Sequence, residues 1–384
     1  MRNLVPILAI FVFFIPKKGA WGKENLVDIA QDTYSRLRPC LEAFGMSTKA
    51  LDKLHFPSDA EEHYAQLLAA TKPFRTNIPV HDAVGYSGPW LENHFISRFV
   101  DKPLSYFRGL IPLFVQWVDI HVVIFNETEK THPTMSIPFD THATLPQTIQ
   151  DMLRPDVLYV AVNQDDQGLG RLTLNMPNVL SFSAGGYGHI PLPLIKGELQ
   201  YQAPPPPDQW KADVGFFGNP RPRLARHLLL AEVRRHVSQV GLKGAFSPSP
   251  RWEQEIGLTK LNLAPRGFGR SSYRLAEIVQ IGRIPAYMYD DMRWLPYVGT
   301  NASVEAFGFS SGRPFGSMVQ AISATLKDPT DFNRRMEAVK ANRHFYTYKG
   351  VMEQLELFFQ DPMGERGGLL GQCPCQRRPV RDHR

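Results

Sequence analysis

The sequence of 384 residues is poor in cysteine and in charge, and it lacks any metal-binding pattern. Its three cysteines, Cys40, Cys373 and Cys375, are too few for a disulfide framework. No Cys and His residues have the spacing of a zinc site, and no Asp-x-Asp occurs to hold a divalent metal against a diphosphate. We therefore expect chemistry that needs no metal ion.

Charged side chains make up only 21% of the chain against 43% hydrophobic residues, which is the composition of a folded globular protein. The net charge of +6 and the pI near 9.1 favour an acidic partner, such as a phosphorylated ligand, an anionic polysaccharide or a membrane face. No long Lys/Arg block interrupts the part of the chain expected to fold. The charge is too weak to predict a nucleic-acid partner, and we expect none.

Long apolar runs are also missing, since no stretch reaches 18 uncharged apolar residues. Residues 1–22 have a basic start, an apolar run over 4–16 and two lysines, which is the layout of a secretory signal. The apolar run would span about 20 Å as a helix, short of the roughly 30 Å hydrocarbon core. We predict a signal peptide or a short signal anchor there.

Two glycosylation sequons, which begin at Asn126 and Asn301, agree with a lumenal chain. The chain is therefore predicted to enter the secretory pathway. Its expected location is the Golgi or ER lumen, either held by a single membrane tether at the N-terminus or secreted.

The length predicts two domains, and the Pro-rich stretch over 203–209 is the best boundary between them. Residues 23–202 are predicted to form a first α/β domain and residues 210–362 a second one. Residues 363–384 are dominated by Gly and Arg, so we predict a disordered tail.

Short apolar runs that end in turn residues predict strands in both halves. In the first half they are "DVLYVAVNQDD" and "NVLSFSAGG". After the linker the predicted order is strand "ADVGFFGN", helix 223–240, strand "KGAF", strand "KLNLAP", helix 272–281 and strand "RIPAYMY". This alternation predicts an α/β fold with parallel sheets and crossover helices.

The stretch "LAPRGFGRSSYRLAE", Leu263 to Glu277, places three arginines around the predicted start of a helix. A helix N-terminus is already positive, so guanidinium groups there indicate a bound anion. A glycine-containing loop after a strand and before a helix is also where open α/β sheets bind phosphates. The predicted diphosphate ligands are Arg266, Gly267, Arg270, Ser271, Ser272 and Arg274, and Glu277 is predicted to accept hydrogen bonds from a ribose.

Other interpretations of this stretch remain open. Arg274 and Glu277 could be a surface pair worth at most about 1 kcal/mol, with the other arginines solvated. The run from Gly267 through Ser272, followed by Asp290, is a degraded dinucleotide-binding pattern without its third glycine, which suits an NAD-type dehydrogenase using residues 267–290.

A further motif, "GFSSG" with Ser310 at its centre, matches the nucleophile elbow of serine hydrolases. Asp331 and His344 lie downstream as partners for a triad. No convincing strand precedes the motif, so we do not favour a hydrolase.

The ordered set Pro265, Gly267, Ser272, Arg274, Glu277, Gly282 and Pro285 resembles the donor domain of the exostosin family of glycosyltransferases. Weaker likeness extends over roughly residues 75–300. The resemblance implies a GT-B fold, in which two Rossmann-like parallel-sheet domains face a cleft. The first domain would bind the acceptor and the second the nucleotide sugar. Arg283 departs from the family, which often has a small residue or Cys there.

The resemblance also implies an inverting transfer of sugar from a nucleoside-diphosphate donor, UDP in particular, to a hydroxyl of a glycan or glycoprotein. No cofactor or metal would be needed beyond that donor substrate. A non-catalytic protein that binds an anionic glycan on the same fold is the alternative.

Inversion needs a base that removes the proton of the acceptor hydroxyl. Asp165 and Asp166 are the favoured candidates, because they follow a predicted strand and strand ends line the cleft in such sheets. Glu92, His94 and His189 are further candidates.

Overall fold

The computed structural model describes residues 25–75, 88–118, 149–166, 168–169, 177–219 and 224–377. The predicted signal over 1–22 and the sequon at Asn126 lie outside these residues. Within the described ranges, no helix has the length and apolar character to cross a bilayer.

The first half combines helices with a parallel sheet. The helices are α1 (Leu26–Ala43), α2 (Thr48–Leu51), α3 (Ala60–Thr71) and α4 (Leu91–Phe99). The strands are β1 (Ile111–Pro112), β2 (Tyr159–Asn163), β3 (Val179–Ser183) and β4 (Ile190–Pro191), in the order β1-β2-β3-β4 with parallel neighbours. Every residue of β2 and β3 is buried, as expected of parallel strands that are covered on both faces.

The second half has a five-stranded parallel sheet in the order β6-β5-β7-β8-β9. Its strands are β5 (Ala212–Phe216), β6 (Gly244–Phe246), β7 (Thr259–Pro265), β8 (Ile284–Met288) and β9 (Phe309–Ser311). The helices are α5 (Leu224–Gln239), α6 (Trp252–Gly257), α7 (Tyr273–Ile281), α8 (Val304–Phe307), α9 (Gly316–Lys327), α10 (Pro329–Asn342), α11 (Tyr348–Gln360) and α12 (Gly368–Gly371).

The α/β class with two parallel sheets is confirmed. Strands β2, β3, β5, β6 and β8 fall within the predicted segments, and β7 begins one residue before its predicted segment. Helix α3 was not predicted, and neither were the short strands β4 and β9, whose two and three residues are too few for a periodic pattern. The more specific GT-B arrangement stays a prediction.

Helix α7, which carries the predicted site, forms because both its ends and its apolar face are encoded locally. Ser272 is the N-cap in an extended conformation, and Gly282 ends the helix with φ of +90°, which favours glycine. The amide of Gly282 donates to the carbonyl oxygens of Ile278 and Val279. The apolar side of α7 is buried against β7 and β8, as predicted.

Arg283 fastens the linker to the second sheet. Its side chain is fully buried, and its guanidinium donates to the carbonyl oxygens of Gly257, Gln202, Gly282 and Ala203 at 2.6–3.1 Å. The Trp210 ring centroid lies 5.4 Å away. Burial lowers the pKa of Arg283 to about 10. The residue that departs from the exostosin pattern therefore has a structural role here.

The chain returns from the second half to the first through α11. Phe358 packs edge-on against Phe182 of β3, with ring centroids 4.9 Å apart, and Phe359 contacts Phe107 at 5.1 Å. The predicted second domain, 210–362, thus ends in a helix whose aromatic face belongs to the core of the first half. Sequence composition could not show this, because an apolar helix face does not indicate which core it joins.

The prediction of a disordered tail from residue 363 is wrong for residues 363–377. Helix α12 lies in this stretch, and Cys373 is buried. Cys375 forms a disulfide with Cys40 of α1. These two cysteines are 335 positions apart, so only the return of the chain brings them together.

Replacing Cys40 by serine is expected to lower the free energy of unfolding by about 2–4 kcal/mol, because the disulfide restricts the unfolded chain. The urea midpoint of C40S against the oxidised parent measures this. Cys373→Ala, with the disulfide intact, is the control. The denatured, unreduced parent should contain one reactive thiol per chain, that of Cys373, and three would contradict the pairing.

Candidate anion-binding site

The second sheet has a switch point between β5 and β7. From β5 the chain crosses through α5 to β6 on one side, and it then returns through α6 to β7 on the other side. In open parallel sheets such a switch leaves a ligand crevice beyond the carboxyl ends of the two strands. The predicted loop 266–271 follows β7 directly and therefore borders this crevice.

Arg266 is held by carboxylates within its own half. Its Nη1 lies 2.7 Å from Asp290 Oδ1 and 2.8 Å from Asp291 Oδ1, and its Nε donates to the carbonyl oxygen of Gly269. Burial opposes the charge of Arg266, but these carboxylates raise its pKa above the ordinary value. The side chain stabilises the loop, and its charge is largely balanced.

Arg270 joins the loop to the first half. Its Nη2 lies 2.8 Å from Asp291 Oδ2, and its backbone N–H donates to the carbonyl oxygen of Gly185 at 3.0 Å. A Cβ on Gly186, whose φ is +130°, would lie 2.5 Å from the Arg270 nitrogen. Glycine at 186 is therefore required for the loop after β3 to touch the loop after β7.

Gly267, Ser271 and Ser272, the remaining predicted residues of the loop, are held mainly through backbone contacts. Ser271 and Ser272 are buried, and the Gly267 N–H donates to the Ser271 carbonyl at 2.7 Å. Ser272 caps α7 without a side-chain hydrogen bond to the helix. Their roles as phosphate ligands stay predictions.

Arg274 and Glu277 form a buried pair, so the interpretation as a solvated surface pair is wrong. Their side chains are 13% and 9% exposed, and Arg274 Nη1 lies 3.2 Å from Glu277 Oε2 without hydrogen-bond geometry. The guanidinium also sits over the Trp252 ring, 4.3 Å from its centroid. Burial lowers the pKa of Arg274 and raises that of Glu277, and each is opposed by the charge of the other.

Arg226, near the start of α5, is a member of the cluster that the sequence analysis missed. Its Nε donates to the Arg266 carbonyl at 2.9 Å and its Nη1 to the Asn219 carbonyl at 3.3 Å. Burial, together with the positive charge of Arg274, lowers its pKa to about 10. Within the described residues no carboxylate lies within ion-pair distance of it. An arginine 40 positions before the loop carries no sequence signal that it belongs there.

Two buried guanidinium nitrogens at this site, Arg270 Nε and Arg274 Nη1, have no hydrogen-bond acceptor in the described part of the chain. Buried donors are nearly always paired in folded proteins. Together with Arg226, they make the cluster suited to an anion with several oxygen atoms.

The end of β2 brings the predicted bases to the same place. A Cβ on Gly269 would lie 2.6 Å from Asp166 Oδ1, so this carboxylate lies directly against the loop after β7. Its negative charge also acts on Arg226. For Asp165 it is the backbone carbonyl that packs against Gly185. Of the two candidates, Asp166 faces the cationic cluster.

A cavity of about 410 Å³ opens beside the cluster, between α5 and the ends of β5 and β6. Its lining is mostly apolar and includes Phe216, Leu230 and Phe246. Gly218 borders both places, since a Cβ on it would lie 3.3 Å from Arg274 Nη2. Space for a planar group therefore adjoins the charged groups.

Two of the other candidate bases, Glu92 and His189, are buried in the first half, and His94 there is partly buried. Glu92 is fully buried and accepts from the Val118 N–H at 2.8 Å. The His94 ring stacks on Tyr348 at 4.0 Å, and burial lowers its pKa. Burial lowers the pKa of His189 to about 3, so it is neutral at physiological pH.

The structure does not bring the hydrolase triad together. Ser310 lies in β9 opposite Tyr287, whereas a nucleophile elbow needs a sharp turn. His344 contacts Glu353, and Asp331 pairs with Arg334 and Arg335.

Asp290, the acid of the dinucleotide pattern, pairs with Arg266. Among the described residues, no group of three or more His, Cys, Asp or Glu side chains is placed to hold a metal ion.

Comparison with known proteins adds little. No protein-family model matches the chain, and no curated protein matches it. Among solved structures it is similar to the crystal structure of TarM, with a TM-score of 0.34 and 9% identity. The similarity covers 57% of this chain and spans 58% of TarM. A likeness of this size carries no argument about function, and the exostosin resemblance stays a prediction.

Proposed function

We propose that this protein is a glycosyltransferase that moves a sugar from a nucleoside-diphosphate donor, UDP in particular, to a hydroxyl of a glycan or glycoprotein. The observation that carries the proposal is Arg226. A partly buried guanidinium that lies near Arg266 and Arg274, and whose hydrogen-bond acceptors in the described part of the chain are carbonyl oxygens, is unfavourable by itself. The positive charges of Arg226, Arg266 and Arg274 repel one another, and the negative charge of a diphosphate at the switch point would offset this repulsion.

The donor would lie with its diphosphate between Arg226 and Arg274. Glu277 would accept hydrogen bonds from the ribose, and the apolar cavity beside Gly218 has room for the base. Arg266 and Arg270 would act by holding the loop, because their charges already meet Asp290 and Asp291. This division differs from the sequence prediction, which gave all three loop arginines to the diphosphate.

Asp166 would act as the base. It would take the proton from the acceptor hydroxyl while that oxygen forms a bond to the anomeric carbon of the donor. The bond from this carbon to the diphosphate breaks on the opposite face, and its electron pair leaves with the diphosphate. Arg226 and Arg274 would stabilise the negative charge that develops there, so the transfer inverts the anomeric centre without a metal.

The secretory location is part of the proposal, whether in the Golgi or ER lumen or outside the cell. Disulfides persist in oxidising compartments, and the bond between Cys40 and Cys375 suits such a place.

The first experiment is a thermal shift with UDP. At about 100 times its Kd, UDP should stabilise the native state by about 2.7 kcal/mol, which is a rise of roughly 4 °C for a chain of this size. Arg226→Met should weaken UDP binding about 30-fold, since a charge-assisted hydrogen bond contributes about 2 kcal/mol. Arg334→Met is the control, because Arg334 is an arginine of α10 that is 57% exposed and pairs with Asp331.

Other results would select other functions. A shift with NAD but not with UDP would favour the dehydrogenase. Binding of anionic glycans with no donor hydrolysis or transfer in any sugar panel would favour a non-catalytic glycan-binding protein. Equal UDP affinity of the parent and R226M would contradict the proposed site.

A further inference from the structure

The sequon Asn301-Ala302-Ser303 lies in the loop between β8 and α8, in a turn whose backbone is well held. The Ser303 N–H donates to the Thr300 carbonyl, and the Tyr346 hydroxyl donates to the Ala302 carbonyl at 2.9 Å. Ala302 and Ser303 are buried, whereas Asn301 is exposed. The turn therefore presents the asparagine side chain to solvent.

We propose that Asn301 carries an N-linked glycan. The sequon supplies the acceptor tripeptide. The disulfide between Cys40 and Cys375 indicates folding in an oxidising compartment, which is where this modification takes place. The inference depends on that compartment and not on the proposed enzymatic activity.

The modification is a group transfer from a lipid-diphosphate oligosaccharide. The amide nitrogen of Asn301 bonds to the anomeric carbon and gives its proton to a base of the transferring enzyme of the host. The bond from this carbon to the lipid diphosphate breaks, and its electron pair leaves with the lipid diphosphate. Ser303 must be accessible during this reaction, but in the folded chain it is buried and its Oγ caps α8 by accepting from the Glu305 N–H. The glycan is therefore added before α8 forms.

The glycan would not obstruct the anion-binding site. That site lies beyond the carboxyl ends of the strands, at the start of α7. Asn301 precedes α8 and β9, so it lies toward the amino ends of the strands. Near the end of α7, Gln280 bonds to Tyr346, which in turn holds Ala302. A nine-residue helix is about 13 Å long, and it separates the two places.

The test expresses the full chain in a eukaryotic secretory host and isolates the disulfide-bonded product. Digestion with peptide N-glycosidase in heavy-oxygen water, followed by peptide mass spectrometry, should find Asn301 converted to labelled aspartate. Asn301→Gln should lose the modified peptide. Ser303→Thr keeps both the sequon and a capping hydroxyl, so it should retain the modification.

An unmodified Asn301 in secreted, disulfide-bonded protein would overturn the proposal. Loss of the modification in S303T would overturn it as well. Asn301→Gln should leave the UDP-induced thermal shift within about 1 °C of the parent shift, because the glycan is remote from the cluster. A larger change would overturn the placement of the glycan away from the site.

Discussion

Asp166→Asn is expected to lower the turnover number for sugar transfer by about 10²–10⁴-fold, the usual contribution of a general base. The amide cannot accept the proton of the acceptor hydroxyl, but its size and position are nearly those of the carboxylate. UDP binding should persist, because the diphosphate is assigned to the second half. Initial rates with saturating donor and acceptor, together with the UDP thermal shift, measure the two effects separately.

Asp165→Asn is the matched control, since this neighbour packs through its backbone carbonyl against Gly185. Its turnover number should stay within about threefold of the parent value, a change of less than 1 kcal/mol in the barrier. The assignment of the base would be wrong if D165N lost activity and D166N kept it. Loss of the UDP shift in D166N would instead mean that Asp166 helps to hold the donor.

Arg283→Met is expected to lower the free energy of unfolding by about 3–5 kcal/mol, a large effect for one residue. Methionine fills much of the volume but leaves the carbonyl oxygens of Gly257, Gln202 and Ala203 without their donor. Unpaired buried acceptors cost free energy even when the packing is kept. The midpoint and slope of urea unfolding give the change.

Arg293→Met serves as the comparison, because Arg293 pairs with Glu305 at the surface and its side chain is 42% exposed. That variant should change stability by less than about 1 kcal/mol. Arg283→Lys should recover only part of the loss, since an ammonium group cannot reproduce the planar set of donors. Equal stabilities of R283M and R293M would show that the linker is held by other contacts.

The variants D166N and R283M test different parts of the molecule. Asp166 belongs to the place where the two halves meet, and Arg283 to the attachment of the linker. A reduced urea midpoint in R283M with a normal UDP-induced rise in melting temperature would show that the anion-binding site does not depend on the linker. A site shared between two strand ends should behave in this way as long as both sheets stay folded.

The sequence by itself determined the class of fold and the neighbourhood of the candidate site. The periods of its apolar residues, the cap at Ser272 and the glycine at 282 are local signals, and they predicted α7 and most of the longer strands. The crowding of three arginines at the start of α7 likewise predicted an anion site, because it opposes the ordinary preference for acidic residues there.

Only the tertiary structure decided which charges are available at that site. Arg266 and Arg270 are paired with Asp290 and Asp291, whereas Arg226 comes from a separate helix and has no carboxylate within ion-pair distance in the described chain. The sequence likewise did not predict the disulfide between Cys40 and Cys375 or the packing of α11 against the first half. These features depend on contacts between distant parts of the chain. Local sequence patterns could not predict them, because such patterns indicate the secondary structure of a residue but not which distant residues it contacts.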